Sequence, residues 1–195
     1  MAKQVEFWFD FGSSYSYIAY KALPAIAAAH GALIVWRPML LGGVFKATGN
    51  HSPAEIPAKA KWMQQDLQRW AARYGAVFKP NPHFPINTLT LMRGAVGMQM
   101  RGLDFPTYAE AMFHAMWAAP RNLGDPQELA AVLRQAGFDA DAFQALVNDP
   151  EVKEQLKKNT EEAVARGVFG APTFFVGADM YWGQDRLGLV AEALA

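Results

Sequence analysis

The sequence predicts an α/β fold in which strands from both ends of the chain share one mixed sheet. Short apolar stretches with strand-like patterning occur before residue 39 and again after residue 172, whereas the residues between them carry helix start signals. Apolar strands at the two ends need the same core, so one sheet with a helical insertion is the simplest solution. The predicted order is therefore β-α-β, a helical block, and β-β-α.

The first part of the chain predicts a parallel strand, helix and strand unit. Residues 4–9 alternate in polarity and favour a largely buried strand, and residues 15–30 favour a helix that either Ser13 or Ser14 caps. Residues 32–38 form the second apolar run. A strand, a helix and a second strand in so short a space are parallel and right-handed by default.

The middle of the chain predicts helices because three segments have the spacing of a capping box. In this motif a Ser, Thr or Asp caps the helix and a Glu three residues later reaches back to it. Pro57 makes the regular start of the first of these helices uncertain, and Asp149-Pro150 opens a last helix that ends near Gly167. The three boxes are Ser52–Glu55, Thr107–Glu110 and Asp125–Glu128.

The last part of the chain returns to a strand pattern. Residues 173–176 are short and apolar, residues 177–179 predict a turn, and residues 180–182 are the expected hairpin partner. Residues 184–194 predict a closing helix.

Composition excludes several classes of function. The 195 residues contain no Cys, which excludes disulfide scaffolds, Cys-ligated zinc, iron–sulfur clusters and catalysis by a protein thiol. Lys plus Arg and Asp plus Glu both total 18, so no broad positive field favours nucleic acid or an anionic membrane. No apolar run reaches the length of a membrane span, and no cleavable leader pattern is evident, so we expect a cytoplasmic protein that binds a small molecule or a protein.

Two segments are candidates for a functional site. Ser13 lies in the turn between the first strand and its helix, where free amides and the helix dipole favour an anion; a simple N-cap is the alternative. The Ala171-Pro172 pair precedes an apolar strand, where its backbone can pair with an extended ligand; an ordinary strand-entry proline is the alternative. A serine hydrolase is weakly supported, because the Gly-x-Ser-x-Gly motif is absent.

Five motifs in order extend over essentially the whole chain. They resemble the bacterial 2-hydroxychromene-2-carboxylate isomerases, a DsbA-like thioredoxin-fold family related to kappa-class glutathione transferases. The resemblance implies a thioredoxin-like domain from residues 1–50 and 166–195, with a helical insertion over approximately 51–165. The motifs are residues 9–17 (FDFGSSYSY), 41–50 (LGGVFKATGN), 82–87 (PHFPIN), 167–174 (GVFGAPTF) and 182–187 (WGQDRL).

The resemblance also implies that glutathione is the cofactor and that Ser13 is the catalytic residue. Ser13 occupies the position at which redox thioredoxins carry Cys, so the reactive sulfur belongs to glutathione and the hydroxyl stabilises its thiolate. Cis Pro172 and the backbone of Ala171 would bind the cysteinyl part of the tripeptide. Further contacts to glutathione fall to Asn50, Lys59, Gln184 and Asp185. The structural alternatives are a turn residue for Asn50, a solvated helix face for Lys59 and a helix cap for Asp185.

The implied reaction interconverts 2-hydroxychromene-2-carboxylate and trans-o-hydroxybenzylidenepyruvate, as in the catabolism of naphthalene-type aromatics. Its partner is thus a small aromatic carboxylate, and the resemblance leaves a homodimer open. The substrate residues that it implies are Lys46, Trp36, Phe45, His83, Phe84 and Asn87.

Two other functions stay open at this level. A kappa-like glutathione transferase or peroxidase would use the same thiolate with a different acceptor. A noncatalytic thioredoxin-fold binding module is favoured by the absence of Cys and by Ser14 and Ala171, which depart from the usual motifs.

Overall fold

A computed structural model describes residues 3–195 and contains one mixed four-stranded sheet. The strands are β1 (Gln4–Phe9), β2 (Leu33–Pro38), β3 (Thr173–Val176) and β4 (Asp179–Trp182), in the order β2-β1-β3-β4. β1 and β2 are parallel, whereas the pairs β1–β3 and β3–β4 are antiparallel. The predicted sheet, built from both ends of the chain, is confirmed.

β1 is apolar along most of its length because both of its faces are covered. Val5, Phe7 and Phe9 have no solvent exposure and join the larger hydrophobic cluster, in which the rings of Phe7 and Phe174 stack at 5.3 Å. Trp8 points to the other face and belongs to a smaller cluster with Phe175. Burial on both faces is typical of a central strand.

Helices pack on the sheet, and most of them belong to the part of the chain between β2 and β3 in sequence. α1 begins one residue earlier than predicted and is capped by Ser13, whose side chain accepts from the amide of Ser16. The helices of the described residues are α1 (Ser14–Ala29), α2 (Leu41–Thr48), α3 (Pro57–Arg73), α4 (Leu89–Met100), α5 (Phe105–Trp117), α6 (Pro126–Gln135), α7 (Ala140–Asn148), α8 (Pro150–Ala165) and α9 (Leu187–Ala193).

The predicted helix starts at Asp125 and Asp149 are confirmed, since both carboxylates cap helices. The capping box at Thr107 is wrong. α5 begins three residues earlier than this box predicts, and Asp104 is its cap, with a carboxylate that accepts from the amide of Thr107 at 3.1 Å. Ser52 caps only a short 3-10 turn, after which Pro57 begins α3.

Gly94 allows three helices of the block to approach closely. A Cβ at Gly94 would lie against the hydroxyl of Tyr108 and 2.6 Å from Cε2 of Phe143. Tyr108 is fully buried and its hydroxyl donates to the carbonyl of Leu91 at 2.8 Å. The contact between α4, α5 and α7 therefore depends on the missing side chain.

We expect Gly94→Ala to lower the free energy of unfolding by about 1–3 kcal/mol, because the methyl group overpacks a buried hydrogen-bonded tyrosine. Gly188→Ala in α9 is the matched control, because nothing lies within 4 Å of its added Cβ. It should be neutral or stabilising by up to ~1 kcal/mol, since Ala is the better helix former. Denaturant unfolding of both variants decides; equal stabilities would contradict the packing account.

Candidate functional site

The buried carboxylate of Asp10 fixes the turn that follows β1. One oxygen accepts from the amide of Gly12 at 2.8 Å, and the other accepts from the amide of Leu41, also at 2.8 Å. Burial raises the pKa of Asp10, and the two amide hydrogen bonds oppose this rise. The turn before α1 and the first residue of α2 are thereby held by one side chain.

Ser13 uses both functions of its hydroxyl within the protein. The Oγ atom accepts from the amide of Ser16 at 3.1 Å and donates to the carbonyl of Ala171, also at 3.1 Å. The residue is only 8% exposed. Ser13 is therefore the cap of α1, and its proton already has an acceptor on the opposite side of the site.

The segment Phe169–Pro172 is held by all four of its carbonyl groups. The peptide bond between Ala171 and Pro172 is cis, as the resemblance implied. Each carbonyl accepts one hydrogen bond: Phe169 from Asn50 Nδ2 at 2.8 Å, Gly170 from Thr173 Oγ1 at 2.8 Å, Ala171 from Ser13 Oγ at 3.1 Å, and Pro172 from the amide of Gly183 at 2.9 Å.

The amides of the same segment are free to bind a ligand. Within residues 3–195, the N–H groups of Phe169, Gly170 and Ala171 have no hydrogen-bond acceptor. Backbone donors are normally paired, either with protein or with another partner. Three successive donors without a protein partner beside Ser13 therefore make this segment a candidate for binding an acceptor.

Asn50 lies beside this segment, and its side-chain amide is engaged in hydrogen bonds within the protein. It follows Gly49, which ends α2 in the left-handed conformation with φ of 71°. Its Nδ2 donates to Phe169, and its Oδ1 accepts from the amide of His51 at 2.9 Å. Asn50 thus holds the segment in place.

Asp185 and Asp66 give the other end of the site a negative charge. Burial raises the pKa of Tyr15, and a hydrogen bond of 3.0 Å to Asp66 and the charge of Asp185 raise it further. Asp185 also pairs with Arg186 at 3.2 Å, and Gln184 is buried beside it.

Asp66 was missed by the sequence analysis. It lies seven residues after Lys59, which is two turns of α3, so helical spacing puts both side chains on one face of the helix. This spacing was the feature of the sequence that could have placed Asp66 near the predicted site residue Lys59.

Lys46 and Lys59 are both exposed, and neither forms an ion pair with a described residue. Lys59 lies in the first turn of α3. Lys46 lies in the last turn of α2, a helix that the sequence analysis did not predict. The helix forms although it contains two glycines, because Val44 is fully buried and Asp10 binds the amide of Leu41.

The segment around Phe84 approaches the Ser13 turn from the other side. The Phe84 ring is 41% exposed and packs at 5.8 Å on Trp117, whose Nε1 donates to the carbonyl of Phe11 at 2.8 Å. The methyl group of Thr88 lies 3.1 Å from where a Cβ of Gly12 would stand. The structure therefore brings this motif to the site.

The other expected substrate residues divide into two groups. His83 and Asn87 are exposed on the same segment, and Asn87 Oδ1 accepts from the amide of Leu89 at 3.0 Å. Phe45 is half-buried in α2. Trp36 instead packs among core rings, with Phe7, Tyr20 and Phe105 at 5.6, 5.7 and 5.8 Å, so we leave it out of the site.

Other parts of the described chain offer less chemistry. A groove of about 810 Å³ lies between α1, α5 and α6, with Tyr20, His114 and Arg121 among its lining residues, and none of the site residues predicted from the sequence lines it. Residues 3–195 contain no cluster of three His, Asp or Glu side chains that would hold a metal ion. In the same residues, no helix has the length and hydrophobicity of a membrane span.

A thioredoxin-like sheet with a cis proline facing the first helix defines a class. Residues 4–195 match the family model of the DSBA-like thioredoxin domain, so the chain belongs to this family.

Individual proteins show which members of this family the chain is most usefully compared with. The chain is 34% identical to a 2-hydroxychromene-2-carboxylate isomerase of Sphingobium xenophagum, over 100% of this chain and 99% of that protein. It is 28% identical to human glutathione S-transferase kappa 1, over 100% of this chain and 92% of that protein. A solved 2-hydroxychromene-2-carboxylate isomerase structure has a TM-score of 0.86 at 30% identity and covers 98% of this chain and 94% of its own. The resemblance inferred from the motifs is confirmed.

We expect Asp10→Asn to lower the free energy of unfolding by about 1.5–3 kcal/mol, because an amide offers one acceptor oxygen where two buried N–H groups need partners. Asp125→Asn is the matched control: Asp125 caps α6, and Asn caps a helix as well as Asp does. Denaturant unfolding should therefore separate the two variants. A loss at Asp125 as large as that at Asp10 would contradict the assigned role.

Proposed function

We propose that this protein is a glutathione-dependent isomerase that interconverts 2-hydroxychromene-2-carboxylate and trans-o-hydroxybenzylidenepyruvate. Full-length similarity to proteins named as this isomerase supports the reaction, and similarity to kappa glutathione transferases supports the cofactor. The observation that carries the proposal is the row of free amides from Phe169 to Ala171 beside the Ser13 hydroxyl at the start of α1.

The free amides suit the peptide part of glutathione. An extended peptide pairs its carbonyls with unpaired backbone N–H groups, as a strand does at the edge of a sheet. Ala171 is the member of the row that directly precedes Pro172 and faces Ser13. The cysteinyl residue of glutathione would pair here, which brings its sulfur to the Ser13 hydroxyl.

Ser13 and α1 would lower the pKa of the bound thiol. An ordinary Cys thiol has a pKa of about 8.5, and the N-terminus of a helix favours its anion. Ser13 would turn its O–H from the Ala171 carbonyl to the sulfur while Oγ keeps the hydrogen bond from Ser16. The hydroxyl thus acts as a donor to the thiolate and keeps its proton.

The charges around the ends of the site match those of the tripeptide. Asp66 and Asp185 both lie near Tyr15 and would attract the γ-glutamyl ammonium group, beside buried Gln184. Lys59 has no protein partner among the described residues and is available to a carboxylate. Asn50 contributes by holding the carbonyl of Phe169.

The substrate would lie between α2 and the Phe84 segment. When bound, glutathione would supply a thiolate that adds reversibly to the conjugated C=C bond. Opening of the hemiketal ring, which converts its C–OH into a ketone and releases the ring oxygen as a phenol, would then let the resulting C–C single bond rotate before the thiolate leaves and the C=C bond re-forms. Lys46, an exposed cation without an ion-pair partner in residues 3–195, would bind the substrate carboxylate. Phe45 and Phe84 would face the aromatic ring, and His83 and Asn87 would border its polar groups.

A second candidate is a glutathione transferase or peroxidase that uses the same thiolate site. Kappa relatives support it, including one of Caenorhabditis elegans that is 30% identical over 99% of this chain. The two candidates differ only in the acceptor that the thiolate attacks.

An assay of 2-hydroxychromene-2-carboxylate isomerisation, followed by absorbance with and without glutathione, tests the proposal. We expect turnover that requires glutathione. Conjugation of a chloronitroarene without isomerisation would favour the transferase. Glutathione binding without either activity would favour a noncatalytic binding module.

We expect Ser13→Ala to raise the pKa of the thiol of bound glutathione by about one to two units, because a hydrogen bond to a charged group contributes ~1.5–3 kcal/mol. Activity should fall at neutral pH and partly recover as the pH rises toward the new pKa, since the thiolate fraction is then restored. Titration of the thiolate absorbance in the complex measures this shift.

Ser14→Ala is the control for this variant. Ser14 is equally buried, at 8%, and its side chain makes no hydrogen bond within the described residues. Its bound thiol should titrate as in the wild type. An unchanged titration in Ser13→Ala would remove Ser13 from the thiolate site.

Lys46→Met and Lys59→Met should have reciprocal effects. Met keeps much of the side-chain length and removes the charge. Loss of a charge-assisted contact should raise KM roughly tenfold, for the chromene carboxylate at Lys46 and for glutathione at Lys59. Steady-state kinetics with each ligand varied in turn separates the two. If both variants changed only the KM of glutathione, Lys46 would belong to the cofactor site.

A further inference from the structure

Trp182 lies on the backbone of Gly170 in a way that no other residue at position 170 would permit. A Cβ at Gly170 would stand 2.6 Å from Nε1 of Trp182 and 3.3 Å from its Cε2. The φ angle of Gly170 is not positive, so its backbone conformation is open to any residue. Glycine is needed here for space, and the space is occupied by the indole ring.

The end of β4, from Trp182 to Gly183, contacts the same segment at further points. The Phe169 and Trp182 rings are 4.9 Å apart, and Trp182 pairs with Thr173 across β3 and β4. The next residue, Gly183, donates its amide to the carbonyl of Pro172 at 2.9 Å. The end of β4 therefore covers the segment from Phe169 to Thr173.

These contacts fix the part of the site whose backbone N–H groups have no hydrogen-bond partner in the described residues. The four carbonyls of Phe169–Pro172 are held by hydrogen bonds, but the N–H groups of Phe169, Gly170 and Ala171 have no partner within residues 3–195. Hydrogen bonds weaken steeply when donor and acceptor are misaligned. A rigid ring against Gly170 would keep the amides aligned before a ligand arrives, which reduces the ordering that binding requires.

We propose that Trp182 is a positioning residue that acts through Gly170 and sets the affinity of the site for the peptide part of glutathione. This inference rests on the proposed function and adds the residue that preorganises it. Trp182 is 49% exposed, so its role is more than filling the core. The thiolate itself is stabilised elsewhere, by Ser13 and α1.

Two single variants and their combination test the inference. Gly170→Ala should displace the ring and raise the Kd of glutathione about tenfold or more, measured by titration calorimetry. Trp182→Leu should do the same by removing the ring. The double variant should bind no more weakly than Trp182→Leu alone, because the added methyl group then has no indole to displace.

Further readouts separate positioning from simple stabilisation. The pKa of the bound thiol and kcat at saturating glutathione should stay near the wild-type values in Trp182→Leu, since Ser13 is untouched. Met180→Leu is the matched control, on the same strand and face and 38% exposed. It should bind glutathione like the wild type. Wild-type affinity in both Gly170→Ala and Trp182→Leu, or fully additive losses in the double variant, would overturn the inference.

A measurement without ligand keeps this inference distinct from the proposed function. We expect the ¹⁵N order parameters of Phe169, Gly170 and Ala171 to fall in ligand-free Trp182→Leu, from values typical of rigid backbone toward those of flexible backbone. If wild-type protein does not bind glutathione, the proposed function fails and this measurement alone decides. Unchanged order parameters would then overturn the role of Trp182.

Discussion

Four consecutive carbonyl groups, from Phe169 to Pro172, are all occupied by hydrogen bonds, and the site depends on this constraint. The donors come from the cap of α1, from the residue after α2, and from the beginning and end of the β3–β4 hairpin. Segments that lie more than 100 residues apart in sequence therefore meet at one short stretch of backbone. Because its carbonyls are fixed, the unpaired N–H groups of this stretch are presented together beside Ser13.

Ser13 connects this constraint to the proposed chemistry. Its Oγ caps α1 and its proton is donated to Ala171 in the ligand-free protein. A bound thiolate would compete for that proton, and a charged acceptor forms the stronger hydrogen bond. Asp10 stabilises this arrangement, because its buried carboxylate binds both the turn before Ser13 and the start of α2. On this proposal the chain would need no Cys of its own to bind a thiol.

The strands and several helix starts could be predicted from the sequence, because residues close to one another in the chain determine them. The strands follow from their apolar patterns, and Ser13, Asp125 and Asp149 cap helices that begin directly after them. α2 was not predicted, because it is stabilised by contacts distant in sequence that overcome its two glycines. For the same reason the sequence did not reveal that Asn50 donates to a carbonyl 119 residues away. The packing of Trp36 on core rings was not evident from the sequence, because aromatic residues in a core and in a pocket look alike there.

The central claim is that a ligand thiolate replaces Ala171 as the acceptor of the Ser13 hydroxyl while a peptide pairs with the adjacent amides. A crystal structure of the complex with glutathione tests it most directly. The account predicts the sulfur within hydrogen-bond distance of Ser13 Oγ, and the cysteinyl backbone paired with Ala171. Glutathione bound elsewhere, with the hydroxyl still directed at the Ala171 carbonyl, would contradict it.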